Sequence, residues 1–138
     1  MNSNNIQIGK ALLDAFNARD LNTWAKQLSD SYTGSYPGMR DIAGKEAAHA
    51  YNAPFLTAFS DLDFQIHQVF EKDDTVVYTW TGTGTHDGPL ATPNGPVPPT
   101  GRKGRVEGVL ISTIKNGQIL REETYWNQID LLSQLGLM

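Results

Sequence analysis

Residues 62–86 read LDFQIHQVFEKDDTVVYTWTGTGTH, and the period of this stretch decides the fold. Leu62, Phe64, Ile66 and Phe70 alternate with Asp63, Gln65 and His67, as a strand with one buried face requires. Lys72, Asp73 and Asp74 supply a turn. Beyond it Val76, Tyr78, Trp80, Gly82, Gly84 and His86 share one face, and Thr79, Thr81, Thr83 and Thr85 share the other. Two period-two runs around a short polar turn predict an antiparallel hairpin.

Upstream of Asp61 the period is helical. Ile8, Leu12, Ala15 and Phe16 fall on one stripe of a first helix. Asp20 is placed to cap a second, short one with Leu21, Trp24, Ala25 and Leu28 on its buried face. SYTGSYPGMRDIAG, with its proline and glycines, reads as a short strand and a turn. A third helix over Lys45–Phe59 carries Ala47, Tyr51, Phe55 and Phe59 on one face, and Pro54 is expected to kink or restart it.

Downstream, DGPLATPNGPVPPTG holds five of the seven prolines and reads as a long loop. Loops of that length in compact domains are often functional. RVEGVLISTI and GQILREETYWN pair around the turn KNG, and DLLSQLGLM closes the chain as a helix. Helices followed by long antiparallel strands make an α+β fold. A curved sheet wrapped around helices leaves a conical cavity suited to a small ligand.

The 138 residues are expected to form a single domain, 1–138. A net charge of −4 without a basic block argues against nucleic acid or an anionic membrane as partner. With no cysteine there is no disulfide, thiolate nucleophile or sulfur-ligated metal. The N-terminus MNSNNIQIGK has no signal-like apolar stretch, and no apolar run has membrane-spanning length. A cytoplasmic protein is therefore expected.

The segments AFSDLDFQIHQVF, YTWTGTGTHDGPL, PPTGRKGRVEGV, KNGQI and LLSQLGL together resemble the SnoaL-like polyketide cyclases. These belong to the nuclear transport factor 2-like superfamily of cone-shaped α+β barrels, in which a curved antiparallel sheet wraps around N-terminal helices. The likeness runs from about Ala11 to the C-terminus. It implies cofactor-free aldol closure of a ring in a polyketide ester, begun by a pocket carboxylate that removes a proton α to a carbonyl. It also implies a homodimer, as superfamily members commonly pair through the sheet. Non-catalytic binding modules share the scaffold, so the fold alone does not settle function.

The resemblance places Thr124 where the family has its aspartate, and Ser35 and Ser112 where it often has histidines. Loss of that acid–base set favours the alternative, a small-molecule binding or accessory module. In LREETYWN, Leu120, Glu122, Thr124 and Trp126 share the face expected to point inward. Glu122 is therefore the candidate base, since a carboxyl in an apolar pocket has its pKa raised toward the useful range. The alternative is a glutamate paired with Arg105 or exposed at a rim.

His86 is a second catalytic candidate, and it and Tyr78 are candidate oxyanion donors. Its alternative role is to order the proline-rich loop. His67 is expected at solvent or a dimer surface, and His49 in a structural role. Tyr36, Tyr51, Phe55, Tyr78, Trp80 and Trp126, with Ser112 and Thr124, are candidates to bind a hydrophobic or aromatic ligand. The same aromatics would also suit a plain core. Arg105 and Glu107 share a face that the sequence does not orient. The histidines have no ligand spacing with a carboxylate, so no metal site is expected.

Overall fold

A computed structural model describes residues 4–92 and 94–138. Its elements run α1 (Asn4–Asn17), α2 (Leu21–Lys26), β1 (Leu28–Tyr36), β2 (Met39–Ala43), α3 (Lys45–Ala58), β3 (Asp63–Lys72), β4 (Thr75–Thr85), β5 (Lys103–Lys115), β6 (Gln118–Trp126) and α4 (Gln128–Gln134). The six strands form one curved, open sheet in the order β2-β1-β6-β5-β4-β3. The fold is α+β with N-terminal helices against the sheet and a short C-terminal helix. No helix among the described residues is long and apolar enough to cross a membrane.

The hairpin of residues 62–86 forms as β3 and β4, paired from Asp63↔Thr83 to Lys72↔Thr75. Its alternation slips once. A bulge between Ile66 and Gln68 shifts the phase, so Val69 packs on the core while Phe70, expected inside, is 56% exposed. A second slip, between Thr113 and Ile114 of β5, leaves Leu120 of β6 unpaired with that strand. Ile119 rather than Leu120 is therefore the fully buried residue at that end, and the interior series reads Ile119, Glu122, Thr124.

β1 is longer than the short strand expected within SYTGSYPGMRDIAG, and it runs parallel to β6. Leu28, expected on α2, is its first residue and is fully buried. Within β1, Tyr32, Gly34 and Tyr36 face inward, so Ser35 alternates away from the interior, opposite Glu123. Asp20 caps α2 as expected, its side chain accepting from the Thr23 amide at 3.1 Å. Helix α3 runs without a break through Pro54, and its buried residue near the N-terminus is Ala48 rather than Ala47.

The core is continuous from α1 and α2 across the inner faces of β1, β4, β5 and β6. A smaller cluster of Ala58, Phe59, Leu90, Leu131 and Leu135 ties α3, the proline-rich loop and α4 together. Arg105 and Glu107 alternate with the inward Gly104 and lie exposed on the outer face, 3.2 Å apart.

Candidate functional site

Between α3 and the inner face of the sheet lies a cavity of about 100 Å³. Tyr51, Asn52 and Phe55 reach it from α3, Tyr36 from β1, Trp80 from β4, and Thr124 and Trp126 from β6. The rings pack on one another: Tyr36 on Tyr51 at 4.5 Å between centroids, Tyr51 on Phe55 at 5.6 Å, Phe55 on Trp126 at 5.9 Å. Cavities that take a whole drug-sized ligand measure roughly 300–1,000 Å³, and one of about 150 Å³ takes benzene. The space is thus somewhat smaller than the benzene-sized cavity and far smaller than a flat polycycle.

Glu122 sits behind this wall. The β5–β6 register sets it directly across from Ser112, and the parallel β1–β6 register sets it beside Gly34. Because residue 34 has no side chain, the tyrosines two places to either side close over the gap. A Cβ there would stand 2.8 Å from the Tyr32 hydroxyl and 3.2 Å from that of Tyr36. The two hydroxyls hydrogen-bond each other, and Tyr32 donates to Glu122 Oε1 at 2.7 Å. Tyr36 stands 3.5 Å from the same oxygen.

Glu122 is 4% exposed and forms no ion pair among the described residues. Burial raises its pKa to about 7, against the opposing pull of the Tyr32 and Tyr36 hydrogen bonds. Burial, and next the Glu122 charge, push Tyr32 and Tyr36 well above the usual phenol range. A carboxyl poised near neutrality can take up and release a proton at working pH.

Of the residues expected at a site, Tyr36, Tyr51, Phe55, Trp80, Thr124 and Trp126 come together around the cavity. Glu122 and Ser112 lie side by side one layer deeper, with Ser112 Oγ unpartnered among the described residues. Tyr78 is fully buried against α1, its hydroxyl 3.5 Å from the Ile6 carbonyl. His86 stands outside the cavity wall, its ring 5.5 Å from Phe59. Its Nδ1 accepts from the Thr100 amide at 3.1 Å, which leaves the neutral ring's proton on Nε2 and ties down the proline-rich loop. His67, on the outer face, is bonded to Thr81. His49 packs edge-on against Trp24. No cluster among the described residues is arranged to hold a metal ion.

Two residues of this arrangement were missed in the sequence. The proline and glycines of SYTGSYPGMRDIAG mask Tyr32, although Tyr32, Gly34 and Tyr36 are spaced to share a face. Asn52 lines the cavity, donates to the Ala48 carbonyl at 2.8 Å, and stands within hydrogen-bonding reach of the Tyr36 hydroxyl. A lone amide on an aromatic helix face carries little signal of its own.

The sequence model described as SnoaL-like polyketide cyclase matches residues 6–135. No curated protein sequence matches the chain. A candidate SnoaL-like polyketide cyclase from Jannaschia sp. CCS1 is similar in structure, with a TM-score of 0.87 at 22% identity over 99% of this chain and 94% of that one. AclR, a candidate hydroxylase from Streptomyces galilaeus, superposes with a TM-score of 0.85 at 22% identity over 97% and 85% of the two chains. TerC, co-crystallised with polyporic acid, gives 0.76 at 17% identity over 97% and 99%. Identities this low establish a shared fold.

Proposed function

The chain belongs to the SnoaL-like polyketide cyclase family, and from that premise we propose that it catalyses proton transfer in the ring closure of a hydrophobic keto compound. Glu122 takes up the proton lost from carbon α to a carbonyl, and the C–H electron pair becomes the enolate. The enolate carbon then attacks a second carbonyl of the same molecule, a carbon–carbon bond forms, and the resulting alkoxide recovers the proton from Glu122. The balance closes within one substrate, so no oxidant or reductant enters.

One observation carries the reading. A buried carboxyl with a pKa near 7 is joined by phenol hydroxyls to a residue in the cavity wall. TerC's co-crystallisation with polyporic acid supports a small-molecule ligand for this scaffold. The homodimer belongs to the same proposal and is read by light scattering.

The test needs no natural substrate. Hydrogen–deuterium exchange at the α-carbon of small cyclic ketones in heavy water, followed by NMR, reports proton abstraction directly. The wild type is expected to exceed buffer exchange, and Glu122→Gln to lose roughly 100-fold or more of that excess. Threonine at position 124 and a carboxyl set behind the wall favour the second reading, a binding module without turnover. Ligand binding with exchange no faster than buffer would establish that reading instead.

A further inference from the structure

Glu122 is placed to store a proton, yet it does not itself line the cavity. Of the three groups joined around Oε1, Tyr36 alone stands in the wall. The direct Tyr36–Glu122 approach is 3.5 Å, whereas the path through Tyr32 is made of two closer contacts. We propose that Glu122 acts on the cavity through a hydrogen-bonded relay of Tyr32 and Tyr36, with the Tyr36 hydroxyl as the group that meets the substrate. The inference rests on the reading of Glu122 as the acid–base group.

The relay has two orientations, and the proton on Glu122 selects between them. An ionised carboxylate only accepts, so Tyr32 must donate to it and Tyr36 must donate to Tyr32. Tyr36 then shows the cavity lone pairs alone. A protonated Glu122 donates to the Tyr32 oxygen, Tyr32 donates to the Tyr36 oxygen, and the Tyr36 hydrogen is free to point into the cavity. In the forward step the α-hydrogen passes to the Tyr36 oxygen, the Tyr36 proton to Tyr32, and the Tyr32 proton to Glu122. The C–H electron pair stays on the substrate as the enolate, which then meets a Tyr36 that donates. Three protons move one place each, and the charge passes from Glu122 to the enolate.

The surroundings support this assignment. The titratable groups facing the relay are themselves phenols: Tyr78 from β4 beside Glu122, and Tyr51 from α3 against Tyr36. Ser112 from β5 adds a neutral hydroxyl opposite Glu122. No lysine, arginine or histidine pairs with Glu122 among the described residues. Both relay tyrosines are held well above the ordinary phenol range, so the charge rests on Glu122 and not on a tyrosinate.

Phenol and cyclohexanone are among the smallest cyclic probes for the cavity, and they differ in what they offer. Cyclohexanone only accepts hydrogen bonds, whereas phenol donates well and stays neutral until pH ~10. Equilibrium binding of each is measured by calorimetry on either side of pH 7. Cyclohexanone affinity is expected to fall as pH rises through that value and phenol affinity to rise. Each change should be roughly three- to tenfold, the worth of one hydrogen bond. Tyr32→Phe cuts the relay and is expected to flatten both profiles, and Tyr36→Phe to flatten them and weaken both ligands.

Profiles that run in the same direction, an opposition that survives Tyr32→Phe, or failure of both probes to bind the wild type would each overturn the relay. The wild-type pair alone can do so, whatever the variants' folding. Should Glu122→Gln leave α-exchange intact, the catalytic reading falls while opposed binding profiles still stand. Loss of exchange in that variant with parallel profiles has the reverse meaning.

Discussion

Burying the carboxyl of Glu122 links its protonation to the stability of the protein. The pKa rises from 4.5 to about 7 on folding, with desolvation as the main cause. Between those values the native chain holds a proton that the unfolded chain has released, so stability falls as pH climbs through this window. The loss amounts to roughly 3 kcal/mol by pH 8, while below the unfolded value the group contributes no slope. Glu122→Gln keeps the shape and an acceptor for Tyr32 but cannot ionise. The variant is expected to match the wild type near pH 4 and to exceed it by up to about 3 kcal/mol at pH 8. Urea titrations at the two pH values measure the difference, and a pH-independent gap would refute a buried titrating carboxyl. That Glu122 faces inward was legible from simple alternation in LREETYWN. Its partners were not, because Tyr32 comes from a strand about 90 residues away, in a pairing that no local pattern specifies.

At the scale of elements, what the sequence revealed and what it hid divide at the irregularities. The period-two runs located β3 and β4, but a bulge costs one residue of phase and leaves no local mark. Phe70 and Leu120 were misplaced for that reason. Helix α1 hid a different feature. Gly9 sits in its interior, where alanine would ordinarily stabilise by about 1 kcal/mol. Here an added Cβ would lie 1.4 Å from the Tyr78 hydroxyl oxygen and 2.3 Å from the ring carbon that bears it. The helix lies against the sheet at that point only because residue 9 has no side chain. Gly9→Ala is therefore expected to destabilise by about 1–3 kcal/mol, reversing the helix-propensity sign. Tyr78→Phe removes the nearest atom, so the double variant should recover part of the loss. A thermodynamic cycle from thermal unfolding tests this coupling, and strictly additive effects would show that the helix moves aside instead.

For the whole molecule, the route of the chain decides when the site can exist. Strands β3, β4, β5 and β6 pair in sequence order as antiparallel neighbours. β1 instead joins β6 in parallel, and Tyr32 is 90 residues from Glu122. Closing such a separation costs loop entropy before any contact repays it, so β1 is expected to dock after the β3–β6 meander forms. The Tyr32–Tyr36–Glu122 cluster is completed only by that docking. Two fully buried positions separate the stages: Val76 in β4 and Leu28 at the head of β1. Val76→Ala is expected to slow folding, and Leu28→Ala chiefly to speed unfolding, each with an equilibrium cost of roughly 1–4 kcal/mol. Stopped-flow chevrons assign each loss to its limb. If Leu28→Ala slows folding as much as Val76→Ala does, β1 belongs to the folding nucleus, and the cluster assembles with the sheet rather than after it.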